Sequence, residues 1–431
     1  MLDRTFVQEP ELRIEGGRPF FFARRGFRRR TVGPLAVLVV ATTVMALTGD
    51  LPVPGLPVVE LWGRAASKRD FFMDPEVQRI LMSHRIKVGT ENAGSRKISR
   101  GDLDPYDFVV LSGKAPGDQV ERRREAAGEH SPVRDVPILS SLVTVGTFRE
   151  YAKALVEKGV ATPLRGGAPD GRQANSEPIY YTLHMQKFLE LAEAGTTWRS
   201  LDVPENVVDE KAQVTAYTSG ICDSNSAGTF VAQVAVALKS STPKTTDNWE
   251  DLGRRIQPML NNGGTSNSDR FPSFKRGELS VPTPVFYEHQ FLEYQLQQKA
   301  ANGGPDTSRV LLYPDNSAVS VPRIAALTPR ARRLVDLVTT DARLRDRATE
   351  LGFRTGDGAK GEDRLTAHLD AHGLPVPWRG IRNPTTDLDE VQLDPLLKGA
   401  AVDGCKPGTG TAPPTEGATP SAGTPTTNGQ G

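Results

Sequence analysis

The stretch Tyr217-Thr-Ser-Gly-Ile-Cys-Asp-Ser-Asn-Ser-Ala-Gly-Thr229 leads from a predicted strand into a predicted helix. The strand covers Gln213 to Tyr217, and the helix carries Val231, Val234 and Leu238 at the spacing of one apolar helix face. A polar turn joins the two elements. A strand, a polar turn and an amphipathic helix in this order form the repeating unit of an α/β fold.

Ser224, Asn225 and Ser226 lie at the start of this helix and belong to the residue types that favour the N-cap position. The start of a helix has backbone N–H groups without intrahelical partners and the positive end of the helix dipole, so it suits an anion or a carboxylate. Two roles stay open for these side chains: they cap their own helix, or they also face a ligand.

The same rhythm of strands and helices extends towards the N-terminus. Short apolar runs at Val58–Trp62, Arg85–Val88 and Asp107–Leu111 alternate with helical patterns. This alternation predicts a mostly parallel sheet with helices on both faces. Ser67 to Asp70 has the spacing of a capping box at the start of the first helix.

A second set of strands follows at Val136–Val145, Pro284–Tyr287 and Arg309–Tyr313, again with helical patterns between them. The chain therefore predicts two α/β lobes, with the second inserted between the early and late parts of the first. Such an arrangement leaves a cleft between the lobes, which is a common place for a ligand.

Several stretches together resemble one protein family, the type II periplasmic-binding-like proteins, which are the solute-binding components of ABC importers. The resemblance is to an actinobacterial, membrane-anchored branch of this family, and it covers about Val58 to Asp394. The stretches are Lys68-Arg-Asp-Phe-Phe-Met-Asp-Pro-Glu-Val77, Thr218 to Thr229, Pro284-Val-Phe-Tyr-Glu-His-Gln-Phe291, and Leu312-Tyr-Pro-Asp315 with Thr340-Asp341 and Gly352-Phe-Arg-Thr355.

The resemblance implies an α/β, two-lobed type II periplasmic-binding-protein-like fold that closes over a solute by a hinge motion. The ligand-facing candidates that it implies are Ser112, Gly113, Ser224, Asn225, Ser226, Tyr287 and Glu288. The turn after the first strand reads Gly63-Arg-Ala-Ala-Ser67, where oxyanion receptors of the family present two hydroxyls. Glu288 is expected to face the cleft and to repel an anion. Phosphate, molybdate and sulfate are therefore not the expected solutes.

The N-terminal region combines basic and apolar residues. Five arginines between Arg24 and Arg30 precede an apolar run at Pro34–Leu47. Arginines beside an apolar segment stay cytoplasmic, so the bulk of the chain is expected outside the cytoplasm. The run is short for a full span, which takes roughly 17–25 apolar residues. It is interpreted as an uncleaved anchor. A signal segment cleaved near Val44 and Ala46 and a buried core helix stay open as alternatives.

The predicted organisation divides the chain into consecutive segments. They are a cytoplasmic basic arm (1–33), a transmembrane or signal-anchor helix (34–49), a linker (50–57), the first part of lobe 1 (58–140), lobe 2 (141–305), the return part of lobe 1 with the C-terminal helices (306–400), and a disordered Pro/Thr/Gly-rich tail (401–431).

Composition and motifs argue against several classes of function. A net charge of +1 over 431 residues gives no electrostatic footprint for nucleic acid. Cys222 and Cys405 form one disulfide outside the cytoplasm or stay two thiols, and no adjacent histidines complete a metal site. The Ser-x-x-Lys match at Ser241–Lys244 lacks its companion motifs, and His368 and His372 lack the glutamate of a metalloprotease motif. We therefore predict no enzyme activity, no metal and no cofactor.

The predicted function is that of an extracytoplasmic, membrane-tethered receptor, or a secreted one if the segment is cleaved. The receptor closes two lobes over a small polar solute, and a membrane permease of the ABC type is the candidate partner. The alternative is an envelope interaction or assembly protein that uses the same fold without a transported ligand. A receptor needs an open, polar cleft, whereas bulky side chains fill the cleft in the alternative.

Overall fold

The computed structural model describes residues 57–129, 133–164, 177–204, 211–241, 248–261, 270–278, 280–317, 319–356, 359–376 and 388–405. The predicted basic arm (1–33) and apolar segment (34–49) lie outside these residues, as do most of the predicted linker and tail. Within the described ranges, no helix is both long enough and apolar enough to cross a membrane.

Strands and helices alternate along most of the chain. Before residue 141 they are β1 (Val59–Ala65), α1 (Arg69–Met73), α2 (Pro75–Ser83), β2 (Ile86–Asn92), α3 (Ser95–Arg100), β3 (Phe108–Ser112), α4 (Lys114–Ala126) and β4 (Val133–Asp135). From 141 to 314 they are β5 (Ser141–Phe148), α5 (Arg149–Glu157), β6 (Ala161–Pro163), β7 (Tyr180–Leu183), α6 (Met185–Glu193), β8 (Ala216–Tyr217), α7 (Asn225–Ser241), α8 (Trp249–Ile256), β9 (Leu260–Asn261), α9 (Phe271–Arg276), β10 (Val285–Tyr287), α10 (Glu288–Asn302) and β11 (Arg309–Pro314). After these come β12 (Val319–Ser320), β13 (Pro322–Ala326), α11 (Arg332–Thr340), α12 (Ala342–Glu350), α13 (Ala359–Ala371) and α14 (Glu390–Ala400).

The first lobe is built on a five-stranded sheet in the order β2-β1-β3-β13-β4. β1 pairs in parallel with β2 and β3, and β13 runs antiparallel to β3 and β4. Alternate residues of β1, such as Leu61 and Ala65, are buried in one core with Phe71, Phe72 and Phe108. The expectation of mostly parallel pairing is correct only for the first strands: β13 pairs antiparallel in this sheet, and most pairings in the second sheet are antiparallel too.

The second lobe has its own sheet, in the order β10-β5-β11-β7-β6, with β12 beside β5. The helix that the opening stretch predicts is α7, and its predicted apolar face is fully buried at Val231, Val234 and Leu238. This face packs in the core of the second lobe with Tyr151 and Trp198, whose rings meet edge to face at 4.9 Å. The described residues thus form a mixed α/β fold with two main sheets and a separate core beside each; each sheet with its helices is called a lobe below.

The boundary placed at residue 305 is wrong for the second lobe. Residues 306–400 were expected in the first lobe, but β11 pairs with β5 and β7 of the second sheet. Five of the six residues of β11 are buried, which fits an interior strand covered on both faces. The chain returns to the first sheet only at β13. Helices α13 and α14 also pack in the core of the second lobe, through residues such as Leu369 and Leu397.

The chain passes between the lobes at places that lie side by side. It enters the second lobe at Ser140, returns to the first lobe between β12 and β13, and leaves it again near Arg354. The Arg354 N–H donates a hydrogen bond to the Ser140 carbonyl oxygen at 2.9 Å, so two of these crossings are tied together. Adjacent crossings of this kind are the usual geometry of a hinge between lobes.

Candidate functional site

A cavity of about 250 Å³ lies between the two lobes. The first lobe contributes the segments that follow β1, β2 and β3, and the second lobe contributes the start of α7 and the segment from β10 into α10. The residues that line the cavity are Ala66, Ser67, Arg69, Asp70, Asn92, Ala93, Gly94, Ser95, Ser112, Ser219, Ser224, Asn225, Ser226, Pro272, Val285, Phe286, Tyr287 and Gln290.

Three serines of the first lobe present hydroxyls on one side of this cavity. Ser112 ends β3, Ser95 begins α3, and Ser67 follows β1. The Ser67 and Ser112 hydroxyl oxygens are 3.1 Å apart, and the Ser112 N–H donates to Ser95 Oγ at 2.7 Å. All three lie where parallel strands end, which is where ligands bind in open α/β sheets.

Three serines of the second lobe present hydroxyls on the opposite side. Ser219 Oγ donates to Ser224 Oγ at 2.7 Å, and Ser224 Oγ lies 3.0 Å from Ser226 Oγ. These residues occupy the turn between β8 and α7 and the first turn of α7. Because a hydroxyl both donates and accepts, each serine keeps hydrogen-bonding capacity for a ligand after bonding its neighbour.

Asn225 and Tyr287 bring two parts of the second lobe together at the cavity. Asn225 Nδ2 donates to Tyr287 Oη at 3.4 Å and to Thr229 Oγ1 at 3.2 Å. On the facing lobe, Gly113 has a backbone φ of 85°, and a Cβ added there would lie 2.7 Å from Asn225 Oδ1. Gly113 therefore does not line the cavity itself; its missing side chain lets Asn225 approach the first lobe.

Glu288 is a correction to the sequence prediction, because it does not face the cleft. Its side chain is fully buried and receives two hydrogen bonds from Arg354, Nε to Oε2 at 2.7 Å and Nη2 to Oε1 at 2.9 Å. Tyr313 Oη donates to Glu288 Oε1 at 2.7 Å. The positive charge of Arg354 compensates the Glu288 carboxylate beside the hinge, so Glu288 does not repel an anion in the cavity.

The pKa values around Glu288 follow from this burial. Burial alone lowers the pKa of Arg354, but the Glu288 carboxylate outweighs it, so the pKa of Arg354 rises above its ordinary value. Burial and the same carboxylate raise the pKa of Tyr313 well above its usual range. Both groups stay protonated at physiological pH, which keeps the hydrogen bonds to Glu288 intact.

Lys68 and His289 form a second buried group, beside Tyr287. Lys68 is fully buried, and its Nζ lies 3.9 Å from the centroid of the Tyr287 ring and 5.1 Å from that of Phe353. His289 Nδ1 lies 3.0 Å from Ser141 Oγ, and the His289 N–H donates to the same oxygen. Burial, followed by the charge of Lys68, lowers the pKa of His289 well below its ordinary value.

The structure brings together most of the predicted site residues. Ser112, Ser224, Asn225, Ser226 and Tyr287 line the cavity, Gly113 adjoins it, and Glu288 is separate from it. The sequence reasoning missed further lining residues. They are Ser67, Arg69, Asn92, Ser95 and Ser219, of which Ser67 and Ser95 closely follow the observed ends of β1 and β2, beyond where the sequence predicted those strands to end.

Charged side chains of both signs contribute to the lining. Arg69 lines the cavity and donates from Nε to the Thr90 carbonyl oxygen at 3.3 Å, and Asp70 lines the cavity next to it. Among the described residues, no group of three or more histidine, cysteine, aspartate or glutamate side chains has the geometry to hold a metal ion. The groups that the cavity presents to a ligand are hydroxyls, side-chain amides, one guanidinium and one carboxylate.

A disulfide ties the serine-bearing turn of the second lobe to the end of the described chain. Cys222 and Cys405 are bonded, with their Cα atoms 5.3 Å apart. Cys222 lies between Ser219 and Ser224, and Cys405 follows α14. Residues 401–405 therefore belong with the folded part, although they were expected in a disordered tail.

A scan against protein-family models finds no match, and no curated protein matches the chain. Among solved structures, the chain is similar to the sulfate-binding protein SubI from Mycobacterium tuberculosis H37Rv, with 14% identity and a TM-score of 0.44 over 78% of this chain and 98% of that one. It is also similar to the substrate binding protein of an ABC transporter from Agrobacterium tumefaciens, with 11% identity and a TM-score of 0.46 over 80% of this chain and 94% of that one. A third similar structure is the periplasmic binding protein AfuA from Actinobacillus pleuropneumoniae with fructose-6-phosphate bound, at 11% identity and a TM-score of 0.34, over 80% of this chain and 94% of that one. Identities and TM-scores this low assign no ligand to the present chain.

Proposed function

We propose that this protein binds a small polar solute in the cavity between its lobes. The observation that carries the proposal is the placement of six serine side chains, three from each lobe, around one cavity. A solute that bonds hydroxyls on both sides gains its full set of contacts only when the lobes are close together. Its binding energy therefore favours the closed arrangement over an open one.

The proposal extends to where the protein works. The arginines and the apolar run near the N-terminus support a tether, with the two lobes outside the cytoplasm. A permease of the ABC type is the partner that such a tethered receptor would serve. Covalent chemistry has no part in this proposal, because the cavity's hydroxyls need only donate and accept hydrogen bonds.

Native mass spectrometry of the full-length protein, purified gently from its own host, tests the proposal directly. We expect an additional mass that corresponds to one small molecule per chain. A thermal-shift panel of sugars, amino acids and oxyanions then identifies its class. A clean unliganded mass together with a flat panel would contradict solute binding and favour the envelope interaction role.

A serine variant tests the position of the site once a ligand is in hand. Ser226→Ala removes a hydroxyl that faces the cavity, so we expect affinity to fall about tenfold, a loss of about 1.4 kcal/mol. The free energy of unfolding should change by less than about 0.5 kcal/mol. Ser200→Ala is the matched control, because the Ser200 hydroxyl bonds the Thr197 carbonyl oxygen away from the cavity. Equal affinities for wild type and Ser226→Ala, measured by calorimetry, would exclude this site.

A further inference from the structure

Helix α14 is built firmly into the second lobe. Leu393, Leu396 and Leu397 of this helix are buried in the core of that lobe. The helix also meets α8 backbone to backbone, because a Cβ added to Gly399 would lie 2.0 Å from the Glu250 carbonyl oxygen. These contacts make α14 a part of the second lobe.

The opposite edge of α14 carries acidic residues that contact the first lobe. Asp394 forms an ion pair with Arg96 and a second one with Arg100, whose Nη2 is 3.2 Å from Asp394 Oδ1. Glu390 forms an ion pair with Arg122 of α4. Helix α14 therefore bridges the lobes at the cleft, while its apolar side stays in the second lobe.

The first-lobe arginines also reach the turn that presents serines to the cavity. Arg100 Nη1 donates to the Cys222 carbonyl oxygen at 3.3 Å, and the Arg96 N–H donates to the Asp223 carbonyl oxygen at 3.1 Å. The disulfide from Cys222 to Cys405 links this turn to the end of α14. One set of contacts thus joins α14, the serine-bearing turn and helix α3.

The electrostatic surroundings of Arg96 favour its ion pair with Asp394. The side chain is buried, so its charge has lost most of its hydration. Burial, followed by the nearby charge of Arg100, lowers the pKa of Arg96, and Asp394 acts in the opposite direction. Opening the lobes would remove the carboxylate that compensates two neighbouring arginines, and this opposes opening.

We propose that α14 is a latch that holds the two lobes together in the absence of a ligand. Its apolar face fixes it to the second lobe, and Asp394 and Glu390 hold Arg96, Arg100 and Arg122 of the first lobe. The unliganded protein therefore populates mainly the closed arrangement. A ligand then meets preformed contacts, and its apparent affinity rises with the fraction of closed molecules.

The distance between the lobes in the full-length, unliganded protein tests the latch. Spin labels are placed on cysteines introduced by Lys158→Cys in the second lobe and Arg333→Cys in the first, two exposed positions. The native cysteines are bonded to each other and do not take the label. Asp394→Asn keeps the side-chain volume and removes the charge, and Asp394 is 43% exposed, so folding should be retained.

We expect the population with a longer inter-lobe distance to rise at least about fivefold in Asp394→Asn, because the variant removes the charge that pairs with both Arg96 and Arg100. Lys398→Gln is the matched control, because Lys398 of the same helix pairs with Glu250 inside the second lobe, 3.2 Å away. This control should keep the wild-type distances. Unchanged distances in Asp394→Asn, or an equal opening in Lys398→Gln, would overturn the latch.

A charge swap provides a second readout that does not depend on Asp394. Glu390→Arg places like charges against Arg122 and should also enlarge the open population. Combining it with Arg122→Glu restores opposite charges across the cleft and should return the distances to those of the wild type. If the double variant stays as open as the single one, the pair does not hold the lobes. The distances are measured on protein that native mass spectrometry shows to carry no bound molecule, so these results are independent of the proposed ligand binding.

Discussion

Gly113 lies where the first lobe touches Asn225 of the second lobe. Its φ of 85° belongs to a backbone region that side chains disfavour, and its missing Cβ leaves room for the Asn225 amide. Glycine is thus required at this position both by the backbone conformation and by the closeness of Asn225. Such a position tolerates substitution less well than a glycine that has only an unusual φ.

Gly113→Ala is expected to lower the free energy of unfolding by about 2–4 kcal/mol, from backbone strain together with overpacking against Asn225. Gly128 is the matched control, because its φ is 76° but nothing lies within 4 Å of the position that an added Cβ would occupy. Gly128→Ala should therefore cost only about 1 kcal/mol. Urea unfolding of both variants measures the difference, and equal losses would show that Asn225 yields without cost.

Glu288 and Arg354 form a buried ion pair, and breaking it leaves a buried charge without its partner. Glu288→Gln is expected to cost about 3–5 kcal/mol of stability, measured by urea unfolding. Glu60→Gln serves for comparison, because Glu60 is 70% exposed and pairs with the exposed Lys87, so its loss should cost under about 1 kcal/mol. A small effect in Glu288→Gln would mean that water reaches Arg354.

The positions of some of these side chains at the cavity can be predicted from the sequence, and those of others cannot. Ser112 was expected at the site through the family resemblance, and it lies at the cavity, as does Ser95, which was not among the candidates. Ser67 was expected to cap a helix, but α1 has no side-chain cap, and Ser67 bonds Ser112 instead. The burial of Glu288 depends on Arg354, 66 residues away, and no local pattern reveals such a partner.

At the scale of elements, helix starts can be predicted from the sequence where one side chain caps its own helix. Asp74 accepts hydrogen bonds from the N–H groups of Glu76 and Val77 and caps α2, and Asp341 caps α12 in the same way. Both helix starts are readable from the sequence. The position of β11 between β5 and β7 is not readable, because an apolar strand fits the interior of either sheet.

The disulfide joins the turn before α7 to the segment after α14, over a sequence separation of 183 residues. Removing it with Cys222→Ser and Cys405→Ser should cost about 2–4 kcal/mol, because the unfolded chain regains the freedom that the bond removes. Urea unfolding of the wild type with and without a reducing agent measures the same loss. Identical midpoints under both conditions would contradict a stabilising bond.

At the scale of the whole molecule, a buried histidine, His289, contacts Ser141 where the chain enters the second lobe. In the unfolded chain the pKa of His289 is near its ordinary value of about 6.5, whereas burial lowers it in the folded protein. The unfolded state therefore binds more protons below about pH 6.5, so the folded state loses stability as the pH falls from 7 towards 5.

The loss attributable to His289 should steepen below about pH 6.5, and its upper limit for one proton is about 1.4 kcal/mol per pH unit. His289→Gln keeps a polar side chain but does not titrate, so its stability should decline less steeply with falling pH than that of the wild type. Urea unfolding at pH 7, 6 and 5 gives both slopes. Parallel slopes would show that other groups govern the acid sensitivity.

The two-lobed α/β architecture could be predicted from the alternation of strands and helices, but the division of the C-terminal part between the lobes could not. The first lobe receives β13, α11 and α12, while the second receives β11, α13 and α14. This division is decided by which core each apolar face enters. Contacts over more than a hundred residues decide it, and they leave no periodicity in the sequence.

The interior position of β11 has a consequence for folding during synthesis of the chain on the ribosome. When residues up to about 305 have been synthesised, β5 and β7 exist without the strand that separates and pairs them. Their exposed edges are templates for pairing with other chains. The second lobe can finish folding only after β11 has emerged, and α14 and Cys405 arrive later still. A nascent chain of this design therefore benefits from a chaperone that covers those edges until translation is complete.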